Sequence, residues 1–223
     1  MVYLRYDEPP PTTARSIETM SRPSDKYFVK LMADANERFA EFACDSLDVS
    51  NASITYIRTI KQNNMGIMEG VRSLSEMKSN NLEESSHIRP TCKYYNKFYK
   101  ENDKVRKIEC FVGGHNDIDV VYMAHYVDNR RYLFPYFSNM EKAVGYYVVV
   151  TRYDGKNVVE EYMVNNGQIV YESYDYSNPI EIGYYCVNFV PNGSVPILAE
   201  SEGVYDTNTL TYHSTRNFVW FEK

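Results

Sequence analysis

Residues 151–174 read TRYDGKNVVEEYMVNNGQIVYESY. Apolar side chains recur there with a period near two, interrupted by Asp154-Gly155 and Asn166-Gly167. Both dipeptides tolerate the positive φ of a tight turn, so the stretch reads as strand, turn, strand, turn, strand. Strands linked this tightly run antiparallel, because a parallel pair needs a long crossover.

The alternation continues outward. Strands are expected over 105–112, 118–127, 132–137, 144–153, 157–164, 168–174, 181–190, 195–199, 210–213 and 217–221. Asn192-Gly193 supplies a third turn signal.

Upstream the period changes. Ser24 suits an N-cap, and Asp25 suits the first turn of a helix. Tyr27, Phe28, Leu31, Met32, Ala35, Phe39, Phe42 and Ala43 then recur at three- and four-residue steps. That spacing predicts an amphipathic helix from 24 to about 47. A second helix is expected over 51–78, with Ile54, Ile57, Ile60, Ile67, Met68, Val71, Leu74 and Met77 as its stripe. Gly66 and Gly70 weaken it, and their spacing implies close approach of another helix. Residues 79–91 read as a polar linker closed by Pro90. A short third helix is expected over 93–103, with Tyr95, Phe98 and Tyr99 on one side.

The expected class is therefore α+β: an N-terminal helical hairpin or stalk, then a Tyr-rich antiparallel β-sandwich or meander. Three parts follow: an extended arm (1–23) carrying Pro9-Pro10-Pro11, a helical region (24–103) and a β domain (104–223).

Composition narrows the function. Of 223 residues, 22 are Tyr, and most of these lie in the β half. The series from Tyr146 to Tyr185 offers a carbohydrate or peptide platform, with cross-strand ring pairing inside the fold as the simpler reading. The net charge of −6 is concentrated between Asp154 and Asp206, which argues against nucleic-acid binding there. Cys44, Cys92, Cys110 and Cys186 lack metal or redox spacing and read as free thiols in a reducing compartment. No apolar run suggests a signal peptide or a membrane span. A cytoplasmic or virion location is expected, with no cofactor.

Nucleotide-binding, zinc-protease and nucleophile-elbow motifs are absent. His115, Asp117 and Asp119 alternate, so on a strand they would share a face and could hold a divalent metal for a hydrolase. A polar turn is the simpler reading. His125 could activate Cys110 or Cys186, against the commoner structural role of a mid-strand histidine. Glu160 and Glu161 point to opposite faces of a strand; with Glu172 they read as solvated positions that protect an edge.

These readings favour a non-enzymatic structural or assembly component of a large multiprotein particle, such as a virion subunit. Its contacts with other protein subunits, of its own kind or another, are expected at Tyr3, Tyr6, Pro10, Phe28, Phe39, Ile57, Val71, Tyr147 and Tyr185. The alternatives are a monomeric protein-, peptide- or glycan-binding module and the metal-dependent hydrolase. No catalytic or metal-ligating residue is assigned under the leading reading.

Overall fold

The computed structural model describes residues 22–42, 48–59, 67–89, 91–113, 118–137, 147–191 and 197–219. Helix α1 (Asp25–Phe42) opens this part of the chain, followed by strand β1 (Ser53–Arg58), helix α2 (Val71–Ser79) and the two-residue strand β2 (Glu84–Ser85). The strands β3 (Tyr94–Glu101), β4 (Lys104–Val112), β5 (Ile118–Val127) and β6 (Arg130–Phe137) come next. Then follow β7 (Tyr147–Asp154), β8 (Asn157–Asn165), β9 (Gln168–Asp175), β10 (Glu181–Phe189), β11 (Ile197–Asp206) and β12 (Tyr212–Val219).

All these strands join one antiparallel sheet. From β3 to β12 each strand lies beside the next in sequence, while β1 pairs with the outer side of β3 and β2 with the outer side of β1. Local turn chemistry sets the pairing. Asn166 and Gly167 both take positive φ between β8 and β9, and Asn102 and Asp103 do so between β3 and β4.

The sheet is covered on both faces. Tyr132 and Phe134 of β6 pack with Phe28, Leu31 and Ala35 of α1. Leu133, between them, packs on the opposite face in the cluster that holds Ile67 and Leu82. Tyr185 likewise faces α1, and Tyr184 faces Val71 of α2. Continuous apolar runs such as Val148-Val149-Val150 follow from this two-sided burial.

Several expectations change. Helix α1 ends its described span at Phe42, and 43–47 lie outside the described residues. The helix expected over 51–78 is not formed as such: its first part is β1 and its last part is α2. The β-branched Ile54, Thr55 and Ile57 lose side-chain freedom in a helix and fit a pleated strand. In that strand Ile57 is buried against the sheet's own cluster. The third helix, over 93–103, is instead β3 and its turn, with Tyr95 stacked on Phe111 of β4 at 4.4 Å. The helical hairpin is thus replaced by one helix on each side of the sheet. The separate short strands expected at 210–213 and 217–221 merge into β12, which pairs along a longer β11.

The α1 stripe, which includes Phe28 and Phe39 of the expected subunit contacts, packs on the chain's own sheet. Phe28 is fully buried, with ring centroids 5.0 Å from Phe189 and 5.3 Å from Tyr171. Phe28→Ala is expected to destabilise the fold by about 3–5 kcal/mol in denaturant unfolding. A loss below about 1 kcal/mol, typical of surface positions, would show that α1 does not seal this face.

Candidate functional site

Two kinds of site emerge: buried carboxylate networks under each helix, and a basic groove at the β1 edge.

The three glutamates expected to be solvated are buried instead: Glu160, Glu161 and Glu172 are 1%, 0% and 2% exposed. Strands β8 and β9 lie inside the sheet, so no edge is available for them to protect. Glu160 faces α1. Its carboxylate accepts hydrogen bonds from the hydroxyls of Tyr27 (2.5 Å) and Tyr171 (3.0 Å) and from Arg152 Nε (3.2 Å). Further along the same helix, Asp34 accepts from the Tyr132 hydroxyl at 2.9 Å and from Arg130 at 3.1 Å.

Glu161 faces α2. It accepts the backbone N–H groups of Glu69 (2.9 Å) and Gly70 (3.0 Å) and the Thr151 hydroxyl (2.7 Å). Gly70 is the N-cap of α2 and offers no side-chain cap of its own, so a carboxylate from β8 serves that helix end. A Cβ on Gly70 would lie 2.7 Å from the Tyr174 ring. At Gly70 the close approach read from the glycine spacing is therefore made by a strand tyrosine, not by a helix, and Gly66 lies outside the described residues.

Arg131 is fully buried beside this group. It donates to Glu69 and to the Ile67 carbonyl, and also to Thr151, while its nearest approach to Glu161 is 3.8 Å. Burial pushes the Glu161 carboxyl up to about 7, against the opposing pull of Arg131 and its hydrogen bonds. Glu172 completes the layer, held by Arg72 and the Tyr174 hydroxyl, each at 2.6 Å. Each carboxylate has a positioned partner inside the fold, and the networks tie helices to sheet.

The groove lies where β1 ends. Beyond the Tyr56–Ser85 pairing, the chain leaves β2, loops through 86–93 and re-enters the sheet as β3. Thr59 donates its N–H to the Tyr94 carbonyl, which ties the end of β1 to the start of β3, and Cys92 donates its N–H to the Arg89 carbonyl within the connection. The resulting open cavity has a volume of about 700 Å³, and its lining includes Arg58, Arg89, Lys93, His87 and the half-buried rings of Tyr56 and Tyr94.

Other candidates are dispersed. His115 and Asp117 lie outside the described residues; Asp119 stands on β5, half-buried. Among the described residues no group of three or more His, Cys, Asp or Glu is placed to hold a metal ion. His125 is buried and stacks on Phe42 of α1 at 4.5 Å, whereas Cys110 and Cys186 pack with clusters on the other face. Burial pushes the Cys110 thiol up to about 12 and the Cys186 thiol up to about 11, which leaves both poor nucleophiles. Cys92, Cys110 and Cys186 are free thiols, and Cys44 lies outside the described residues.

Of the residues expected at subunit contacts, Tyr3, Tyr6 and Pro10 lie outside the described residues. Phe28, Ile57, Val71 and Tyr185 are buried in the chain's own clusters. Phe39 packs on Phe134 at 5.8 Å, and Tyr147 lies 6.3 Å from Tyr122. In the tyrosine series, Tyr174 and Tyr184 pack within 5.6 Å of each other, and Tyr184 also meets Tyr205 and Tyr212 across neighbouring strands. No helix among the described residues is long and apolar enough to cross a membrane.

The groove residues escaped the sequence reading because residues 79–91 look like an ordinary linker. Arg131 carried a usable signal: a charge set directly before the apolar run Tyr132-Leu133-Phe134 of an interior strand. Comparison of the chain with known protein families, characterised proteins and solved structures gives no match.

Arg131→Met is expected to destabilise the protein by about 3–5 kcal/mol, because the substitution removes the charge that faces buried Glu161 and half-buried Glu69. Denaturant unfolding reads this directly. An unchanged midpoint would mean that Glu69 and Glu161 do not depend on the guanidinium.

Proposed function

We propose that the chain is a non-enzymatic subunit of a larger protein assembly, joined by addition of an extended segment to the outer edge of β12. The observation that carries this reading is that edge. β12 spans eight residues and pairs on one side with β11; among the described residues no strand lies on its other side. An edge of this length presents unpaired backbone groups that can template another strand.

The sequence supplies a suitable occupant in Val2-Tyr3-Leu4-Arg5-Tyr6, rich in strand-favouring residues. The position of Arg22 supports the pairing. Arg22, where the described part of the chain begins, acts electrostatically on the Tyr185 hydroxyl of β10, which donates to Glu200 of the neighbouring β11. Pro9-Pro10-Pro11 favours a stiff extended spacer, which suits delivery of Val2–Tyr6 to a second copy. The buried carboxylates add support for a non-enzymatic role, since they are engaged in holding helices to the sheet.

Light scattering over a range of concentrations tests the proposal. The full chain is expected to form oligomers, and a chain lacking residues 1–22 is expected to be monomeric with the same melting temperature. A peptide of residues 1–12 added to the shortened chain should slow amide exchange in β12. Unchanged mass on removal of the arm, or no protection of β12, would overturn the strand-addition reading. The groove at the opposite edge favours a second reading, a binding module.

A further inference from the structure

We propose that the groove between the end of β1 and residues 87–89 and 91–94 binds a phosphate monoester carrying a flat ring, of the mononucleotide class. The site is separate from the β12 edge and does not depend on how the chain assembles.

Charge pairing is the first support. Other arginines whose side chains are described have carboxylate partners: Arg22 with Asp25, Arg38 with Glu41, Arg72 with Glu172 and Arg106 with Glu101. The same holds for Arg130 with Asp34, Arg131 with Glu69 and Arg152 with Glu160. Arg58 and Arg89 have no such partner among the described residues, and both line this groove. In a chain with a net charge of −6, two exposed guanidiniums without counter-ions converge on one concavity.

Local charge sets the ligand's valence. Among the described residues, Arg58, Arg89 and Lys93 line the groove against a single carboxylate, Glu83. The neighbouring Glu84 is held by Lys100 at 2.5 Å and is absent from the lining. The excess of two positive charges matches a phosphate monoester, which carries −1.5 to −2 charges near neutral pH. A guanidinium offers parallel N–H donors that match two oxygens of such a group.

Shape and aromatic lining set the rest of the ligand. A volume of about 700 Å³ exceeds what one phosphate fills and falls within the range for small-molecule sites. Tyr56 and Tyr94 contribute half-buried rings to the wall, and Tyr56 is braced by Tyr95 at 6.1 Å. A braced ring beside cations suits a flat base joined to its phosphate. The acidic remainder of the chain disfavours a long nucleic acid, so a single nucleotide fits better than a polymer.

Calorimetric titration of the full chain with adenosine monophosphate, inorganic phosphate and adenosine tests this assignment. Adenosine monophosphate is expected to bind at least about tenfold more tightly than either fragment. Arg58→Gln and Arg89→Gln should each weaken it by about tenfold or more, with melting temperature unchanged because both side chains are exposed. Lys104→Gln, at a cation that lies over Tyr126 away from the groove, should leave binding as it was. No binding at millimolar nucleotide, or binding indifferent to Arg58 and Arg89, would overturn the proposal. Inorganic phosphate binding as tightly as the nucleotide would overturn the ring-bearing part.

Discussion

Glu160 and Glu161 are neighbours in sequence, and the pleat of β8 points them to opposite faces of the sheet. One carboxylate is held beneath α1 by Tyr27 and Tyr171. The other accepts the first N–H groups of the segment that becomes α2. A buried carboxylate is costly unless it is paired and hydrogen-bonded, and that cost makes the arrangement specific. Each helix must sit where it satisfies its own glutamate. A one-residue slip of β8 would turn both carboxylates to the wrong face, so the same pair also fixes the register of the central strands.

This constraint accounts for the composition. Tyrosine is abundant because its ring fills the space between sheet and helix while its hydroxyl reaches a carboxylate. Tyr27 and Tyr171 serve Glu160, Tyr132 serves Asp34, Tyr153 serves Glu69 and Tyr174 serves Glu172. Tyr185 does the same for Glu200 and Tyr99 for Glu109. Hydrogen bonds to charged groups contribute about 1.5–3 kcal/mol each, more than neutral ones. The acidity of residues 154–206 is in part an internal property: Glu160, Glu161 and Glu172 meet Arg152, Arg131 and Arg72 inside the fold. Among the described side chains, the arginines without a carboxylate partner, Arg58 and Arg89, stand apart at the opposite edge.

The β half was legible in the sequence because its signals are local. Asn166-Gly167 and the alternation around it place β8 and β9 to within a residue. The upstream half was misread where two periods compete. Ile54, Ile57 and Ile60 fit a helical stripe, yet Ile54-Thr55-Tyr56-Ile57 is also strand-forming, and pairing with β3 decides the matter. Tyr95, Phe98 and Tyr99 posed the same ambiguity, although Asn102-Asp103 carried the chemistry of a turn. The buried glutamates were not legible, since their partners on the helix side come from segments about 90 to 130 residues away in sequence. The groove joins the end of β1 to a loop roughly 30 residues later, and no motif marks such a meeting.

Amide hydrogen exchange of Glu160→Gln and Glu161→Gln, resolved by segment, tests the central claim most directly. Glu160→Gln should raise exchange across Asp25–Phe42 and leave Val71–Ser79 at its native rate, and Glu161→Gln should do the reverse. Equal loosening of both helices by either substitution, or of neither, would contradict the assignment of one carboxylate to each helix.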